Sequence, residues 1–337
     1  MTELARPRGM GALSLAAWVV AALLLSLTVG LVWGTEDTSV ARAFSDATSL
    51  DRLILLHVRL PRALLAIVAG AALSGSGVAL QSVLRNPLAE PYILGVSGGA
   101  ALGATLALLF GLGTVAWLGA MLLPVCALAG GLLATFLVLG ITRRGHGRGA
   151  ELLLAGVVLN AIASGAITFI KTVISAAKAQ ELLFWLTGFL DVPSTPSLVA
   201  LAVYVALGLG LLAYDAPRLN LLALGDESAA ALGVDVQRLT VRVLVACSLL
   251  TGAVVSMTGL IGFVGLVVPH ALRRVMGPDV RRLLPLSAAF GGVLLVLCDA
   301  ASRSLFRVFH TEPPVGAITA LVGGPVFLAL LYRRRSR

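Results

Sequence analysis

Charge is what this sequence has least of. Of 337 residues, 12% are Asp, Glu, Lys or Arg, against 58% hydrophobic. A soluble domain of this size needs more charge to cover its surface. The mean hydropathy of +1.00 leaves a polytopic membrane protein. At roughly 20 residues per span with short loops, the length accommodates about nine to eleven helices. Lysine is scarcer still: Lys171 and Lys178 are the whole supply. Neither follows the Gly-x-x-x-x-Gly-Lys-Ser/Thr loop that cradles nucleotide phosphates, so ATP hydrolysis within this chain is strongly disfavoured. If ATP drives its work, another subunit supplies it.

Other absences remove other chemistries. Cys126, Cys247 and Cys298 lie inside apolar runs without metal-ligand spacing, so they read as small core residues. His57, His146, His270 and His310 are scattered, and no metal site is legible. A His-Glu-x-x-His pattern and paired intramembrane carboxylates are both lacking. Ser74, Ser76 and Ser256 sit among Gly and Ala, where small hydroxyls serve helix packing. A membrane enzyme therefore has no catalytic residues to stand on, and no cofactor site is evident. Ion-coupled carriers place Asp, Glu or His deep in the bilayer. Here Glu90, Glu151, Asp191, Asp226 and Asp279 fall in loops or near span ends. Asp299 is the deepest, about one turn from the expected outer end of its span, with Arg303 four residues on as a partner at helical spacing. An ion-coupled secondary transporter with inverted repeats is thus the alternative rather than the first reading.

What is present is a series of apolar runs with basic ends. The net charge of +9 would suit nucleic acid, but the arginines cluster where apolar runs stop, as the positive-inside rule expects. Spans are expected near residues 13–33, 61–84, 92–110, 115–140, 151–170, 197–214, 238–260, 283–301 and 315–332, with a shorter apolar stretch over 262–271. The first ends in Leu31-Val32-Trp33 without a small-residue cleavage site, so it reads as an uncleaved span. Residues 34–57 and 171–196 are polar external segments, the second holding a short helix. Residues 215–237 are too polar to span and read as one or two short helices between glycine breaks. With both ends inside, 17 of the 25 basic residues face inward.

One stretch breaks the pattern. Arg85 to Gly99, RNPLAEPYILGVSGG, carries two prolines that disfavour helix before them. Irregular backbone in a bilayer survives only where protein buries it or where it lines a watery path. The chain also repeats itself. Shifting by 182 places Gly70-Ala71 on Gly252-Ala253, Ser74 on Ser256, Gly77 on Gly259, Pro87 on Pro269 and Gly95 on Gly277. The two copies run in opposite directions across the membrane, an inverted repeat of the kind transporters use.

Several motifs, in order, resemble the FecCD-type permeases, the membrane subunits of type II ABC importers for iron-siderophores, haem and vitamin B12. They are Arg59-Leu60-Pro61-Arg62, Asn86-Pro87-Leu88-Ala89-Glu90-Pro91, Leu94–Gly99, Leu152–Val157, Gly225-Asp226-Glu227 with Leu232-Gly233-Val234, Gly262–His270, and Pro314-Val315-Gly316 with Gly323–Phe327. The resemblance covers roughly residues 15–333. It implies an all-α polytopic fold of ten helices with the inverted repeat, one transmembrane permease domain over residues 1–337, in the inner membrane with both termini cytoplasmic. It implies a homodimer with the path at its interface, two cytosolic ABC ATPase subunits, and a periplasmic or lipid-anchored substrate-binding protein. Ferric siderophore is the first expectation for cargo, with haem and vitamin B12 as alternatives.

Site roles follow the same resemblance. The segment 221–234 would dock in the ATPase, through Leu224, Gly225, Asp226, Glu227, Ala230, Leu232 and Gly233. Arg59, Arg62 and Arg303 would grip acidic residues of the binding protein. The inner gate would form near Asn86, Pro87 and Leu88 and the start of the fifth helix, Arg148 to Glu151, where this chain has Gly149 and Ala150 in place of the family's small hydroxyl residues. Residues 262–271 would be the family's short eighth helix.

Overall fold

The computed structural model describes residues 12–46, 48–112, 119–142 and 148–335. Arg6, Arg8, the run Arg143-Arg144-Gly145-His146-Gly147 and Arg337 lie outside them. All regular structure among the described residues is helical. The helices are α1 (Ala12–Val32), α2 (Val40–Ser45), α3 (Leu50–Leu53), α4 (Leu60–Val83), α5 (Val96–Leu109), α6 (Gly119–Thr142) and α7 (Arg148–Val173). Then follow α8 (Ala176–Thr187), α9 (Thr195–Leu222), α10 (Asp226–Ala231), α11 (Val236–Thr258), α12 (Val264–Met276), α13 (Val280–Phe309) and α14 (Val315–Arg335). A π-helical turn, Ile54–Arg59, joins α3 to α4, and a 3₁₀ turn, Pro91–Leu94, precedes α5.

Seven of these, α1, α4, α6, α7, α9, α11 and α13, are long and apolar enough to cross a membrane, and α5 and α14 are shorter apolar helices. With the 13-residue α12 they make the expected ten in the expected order. Counted in residues, α4 to α7 (24, 14, 24 and 26) parallel α11 to α14 (23, 13, 30 and 21), each set with its short helix second. The residue register is not followed, however. Pro87 lies in a loop whereas Pro269 lies inside α12, and Gly77 lies inside α4 whereas Gly259 ends α11.

The centre of the bundle is α4. In the most apolar 18-residue stretch of the Leu50–Val83 span 78% of residues are buried, against 17% in the corresponding stretch of α7 and 11% in that of α1. Small residues make this possible: a Cβ on Gly70 would stand 2.2 Å from the Gly291 carbonyl oxygen, and one on Gly77 would stand 1.9 Å from that of Gly265. Backbone-to-backbone approach of α13 and α12 onto α4 gives van der Waals packing that lipid cannot match.

Two spans extend past their expected ends. The expected span at 197–214 is α9, which continues through Asp215 and Pro217 to Leu222. The expected span at 283–301 is α13, which continues through Arg303 and Arg307 to Phe309. In both, the charges that seemed to end the helix have partners: Asp215 pairs with Arg242 on α11, Arg307 with Asp37, and Arg303 with Asp299 one turn back on α13 itself. Residues 215–222 are thus the end of α9, and only α10 is a separate short helix.

Candidate functional site

The irregular stretch after α4 is built to be held from several sides. Arg85 takes a left-handed conformation (φ 47°) and ends the helix. Asn86 Oδ1 accepts the Leu88 N–H at 2.9 Å, closing a turn. Glu90 is extended, Pro91 opens the 3₁₀ turn, and Gly95 at φ 83° turns the chain into α5. The stretch lies against the break between α11 and α12. There the Phe263 N–H donates to Glu90 Oε1 at 2.6 Å and the Ile261 N–H donates to Tyr92 Oη at 3.1 Å. Gln81 Nε2 donates to the Gly265 carbonyl at 3.3 Å. From α7, Asn160 donates through Nδ2 to the Tyr92 carbonyl at 2.8 Å and accepts the Gly98 N–H at 3.0 Å. Side chains therefore satisfy the backbone that two non-helical segments leave open, which is the condition for keeping them at membrane depth.

The expected gate residues divide. Asn86 and Pro87 are half-buried and Leu88 is 38% exposed. Gly149 and Ala150 fall in the first turn of α7. Leu152, just beyond them, lines a cleft of about 320 Å³ together with Arg85, Leu222, Asp226 and Thr240. The Arg85 guanidinium pairs with the Asp226 carboxylate across this cleft.

The expected coupling residues sit on and around α10. Gly225 (φ 112°) and Gly233 (φ 85°) turn the chain at its two ends. Ala229 and Val234 are buried and anchor the unit. Leu224 and Leu232 are 64% and 59% exposed, and Glu227, Ala230 and Gly233 are exposed beside them. Asp226 instead turns inward to Arg85.

The three expected docking arginines converge, but inside the chain. Arg59, Arg62 and Arg303 line one cleft of about 190 Å³ with Glu36 and Glu312. Arg59 is 3% exposed and donates to the Leu31 and Val32 carbonyls that end α1, at 2.7 and 2.9 Å. Arg303 is 4% exposed; its Nε pairs with Asp299 at 3.0 Å and its Nη2 donates to the Gly30 carbonyl at 2.9 Å. Arg62 bridges Asp299 at 2.8 Å and Glu312 at 3.0 Å. The guanidinium heads are therefore not free surface charges, because burial makes each need an internal partner. Arg303 Nη1 is buried without a hydrogen-bond partner among the described residues.

Asp299 has the expected partner, Arg303, and a second, Arg62, that local spacing could not show. Gly95-Val96-Ser97-Gly98-Gly99 has the spacing of a nucleophile elbow, but Ser97 Oγ donates to the Tyr92 carbonyl at 3.1 Å and has no histidine partner among the described residues. Sequence reasoning passed over Glu90, Tyr92 and Asn160 as site residues. The usable signal was polar side chains on a proline-broken stretch between two apolar runs.

Comparison with known proteins places the chain. The FecCD transport family profile matches residues 18–333. The chain is 44% identical to the cobalamin import system permease protein BtuC of Halobacterium salinarum, over 85% of this chain and 75% of that one. It is 40% identical to the hemin transport system permease protein HmuU of Yersinia pestis, over 84% of each. Its fold superposes on a solved inward-facing conformation of a metal-chelate type ABC transporter with a TM-score of 0.84 at 30% identity, covering 95% of this chain and 99% of that one.

Proposed function

The chain belongs to the FecCD transport family, and we propose that it is the permease of an ATP-driven importer that carries a metal chelate across the cytoplasmic membrane. The observation that supports this best is the proline-broken stretch Arg85–Leu94, held by hydrogen bonds against a second break between α11 and α12. Lipid-exposed helices have no use for such a joint, whereas a path that opens and closes does. Asp299 is engaged by two guanidinium groups, which leaves it ill suited to carry a coupling ion. The relatives named above carry cobalamin and haem, and these two stand beside ferric siderophore as cargo to be tested.

In this reading residues 1–337 form one permease domain with both termini cytoplasmic. A second copy covers α7 and α14, whose apolar residues Leu154, Ile162, Phe169, Leu321 and Leu328 are exposed. ATPase subunits dock on α10, where Leu224 and Leu232 offer apolar area and Glu227 a charge. A binding protein presents a carboxylate to the cleft of Arg59, Arg62 and Arg303, where Arg62 is the least buried of the three. Charge pairing of this kind sets orientation and encounter rate. Asn86, Pro87, Leu88, Gly149 and Ala150 form the inner gate.

The test is capture of the partner ATPase. With Leu224→Asp and Leu232→Asp together, co-purification falls by about tenfold or more, the size of a lost interface anchor, while membrane insertion is unchanged. Full capture by this variant removes α10 from the interface.

A further inference from the structure

The Arg85–Asp226 pair joins the two parts of this molecule that an importer must connect. Asp226 opens α10, the helix offered to the ATPase, and Arg85 opens the irregular stretch that leads into the gate. Arg85 and Phe263, at the two ends of the hydrogen-bonded joint, are non-glycine residues in the left-handed region (φ 47° and 69°), positions that surrounding contacts must enforce. Between them the connection is continuous. Asp226 grips Arg85, Asn86 closes the next turn, Glu90 holds the Phe263 N–H and Tyr92 holds the Ile261 N–H. Phe263 caps the start of α12, and α12 packs on α4 through Gly265.

We infer that the Arg85–Asp226 pair is the strut that passes displacement of α10 to the 86–94 stretch and thence to the start of α12. This inference rests on the importer reading and assigns positioning roles within it. Asp226 acts on the gate through Arg85, and ATPase docking falls to the exposed Leu224, Glu227 and Leu232. An ion pair suits the task because it keeps two elements together while they tilt, without demanding one packed geometry. A half-exposed pair of this kind adds little to stability, so its removal separates coupling from folding.

The experiment uses the complete complex with its ATPase. A thiol placed by Leu88→Cys, where the side chain is 38% exposed, reports the gate through its rate of labelling by a charged maleimide, with the parent chain subtracted. ATP-driven uptake is read in parallel with cyanocobalamin, haemin and ferrichrome as probes. With the strut intact, a non-hydrolysable ATP analogue changes the labelling rate by about tenfold. In Asp226→Arg or Arg85→Asp that change disappears and uptake falls by about tenfold or more, while ATPase capture stays at the parental level. The exchanged pair, Arg85→Asp with Asp226→Arg, recovers most of both, which is the signature of direct coupling in a double-mutant cycle; Arg85→Lys keeps both. Single reversals that retain nucleotide-dependent labelling, or an exchanged pair no better than the worse single variant, overturn the strut. If a reversal fails to insert, Asp226→Asn and Arg85→Gln carry the same two readings. A parental complex without ATP-dependent uptake of any probe overturns the importer reading, and the strut with it. A parental complex that transports alongside unaffected variants overturns the strut alone.

Discussion

Two aspartates are wholly buried, one towards each end of the molecule, and they are neutralised in different ways. Asp299, in the second half of α13, lies between Arg62 and Arg303, whose side chains are 11% and 4% exposed. Asp215, in the last third of α9, accepts two bonds of 2.6 Å from Arg242 and one of 3.1 Å from Arg218, and both arginine side chains are 40% exposed. The Asp299 cluster is closed: the carboxylate is wholly buried and its two cations nearly so. The Asp215 cluster is open on its cationic side. A closed cluster fixes α4, α13 and α1 relative to one another, while an open one lets arginines re-solvate if α9 and α11 shift. The Asp299 end is thus built to stay and the Asp215 end to tolerate movement.

Removing each carboxylate should separate the two designs. Asp299→Ala strands two buried guanidinium groups and should cost roughly 3–5 kcal/mol, read as a large loss of thermal stability in detergent. Asp215→Ala leaves cations that can reach water and should cost about 1.5–3 kcal/mol, the range for hydrogen bonds to charged groups. Equal losses would erase the distinction. Beside the Asp299 cluster, Glu312 is 28% exposed and, among the described residues, pairs with the far side of Arg62. Glu312→Gln should therefore cost less than about 1 kcal/mol, and a larger loss would mean that the closed region extends to the loop after α13. The smallest effect is expected at the start of α13. Asp279 caps α13 through the Arg281 N–H, and the Asn220 side-chain amide, with that N–H and nearby arginines, holds its carboxyl below its ordinary range. A depressed carboxyl stabilises the fold above its unfolded value, near about 4, and the benefit is lost as pH falls through the folded value. Thermal stability should therefore dip on acidification below about pH 4, with a shallower dip in Asp279→Asn; identical profiles would remove Asp279 from the account.

The same charges mark where the sequence was readable. The expected spans 61–84 and 238–260 match α4 (Leu60–Val83) and α11 (Val236–Thr258) within two residues, because an apolar run fixes each with a proline at the start of α4 and an Asp235 cap on α11. The ends of α9 and α13 ran on past expectation because charges there have partners far along the chain, Arg242 lying 27 residues from Asp215 and Asp37 lying 270 from Arg307. Apolar periodicity carries no trace of such pairing. For the site, Pro87 and Pro91 announced the break after α4, and Gly225 and Gly233 announced α10. That Glu90 and Tyr92 would reach the backbone of Phe263 and Ile261 was not legible, since a side chain meeting a distant main-chain N–H leaves no pattern in either segment. The burial of Arg59 and Arg303 was hidden for the same reason: both reach backbone carbonyls near the end of α1 that only the fold brings close.

The most direct test of the account is uptake into proteoliposomes that contain this chain, its cognate ATPase and its binding protein, with ferric siderophore, haemin and cobalamin offered in parallel. An ATP-driven metal-chelate permease predicts accumulation of one of these compounds that stops when ATP or the ATPase is omitted. Accumulation that persists without ATP and follows an ion gradient would contradict it, and would make the paired Asp299 the first residue to re-examine.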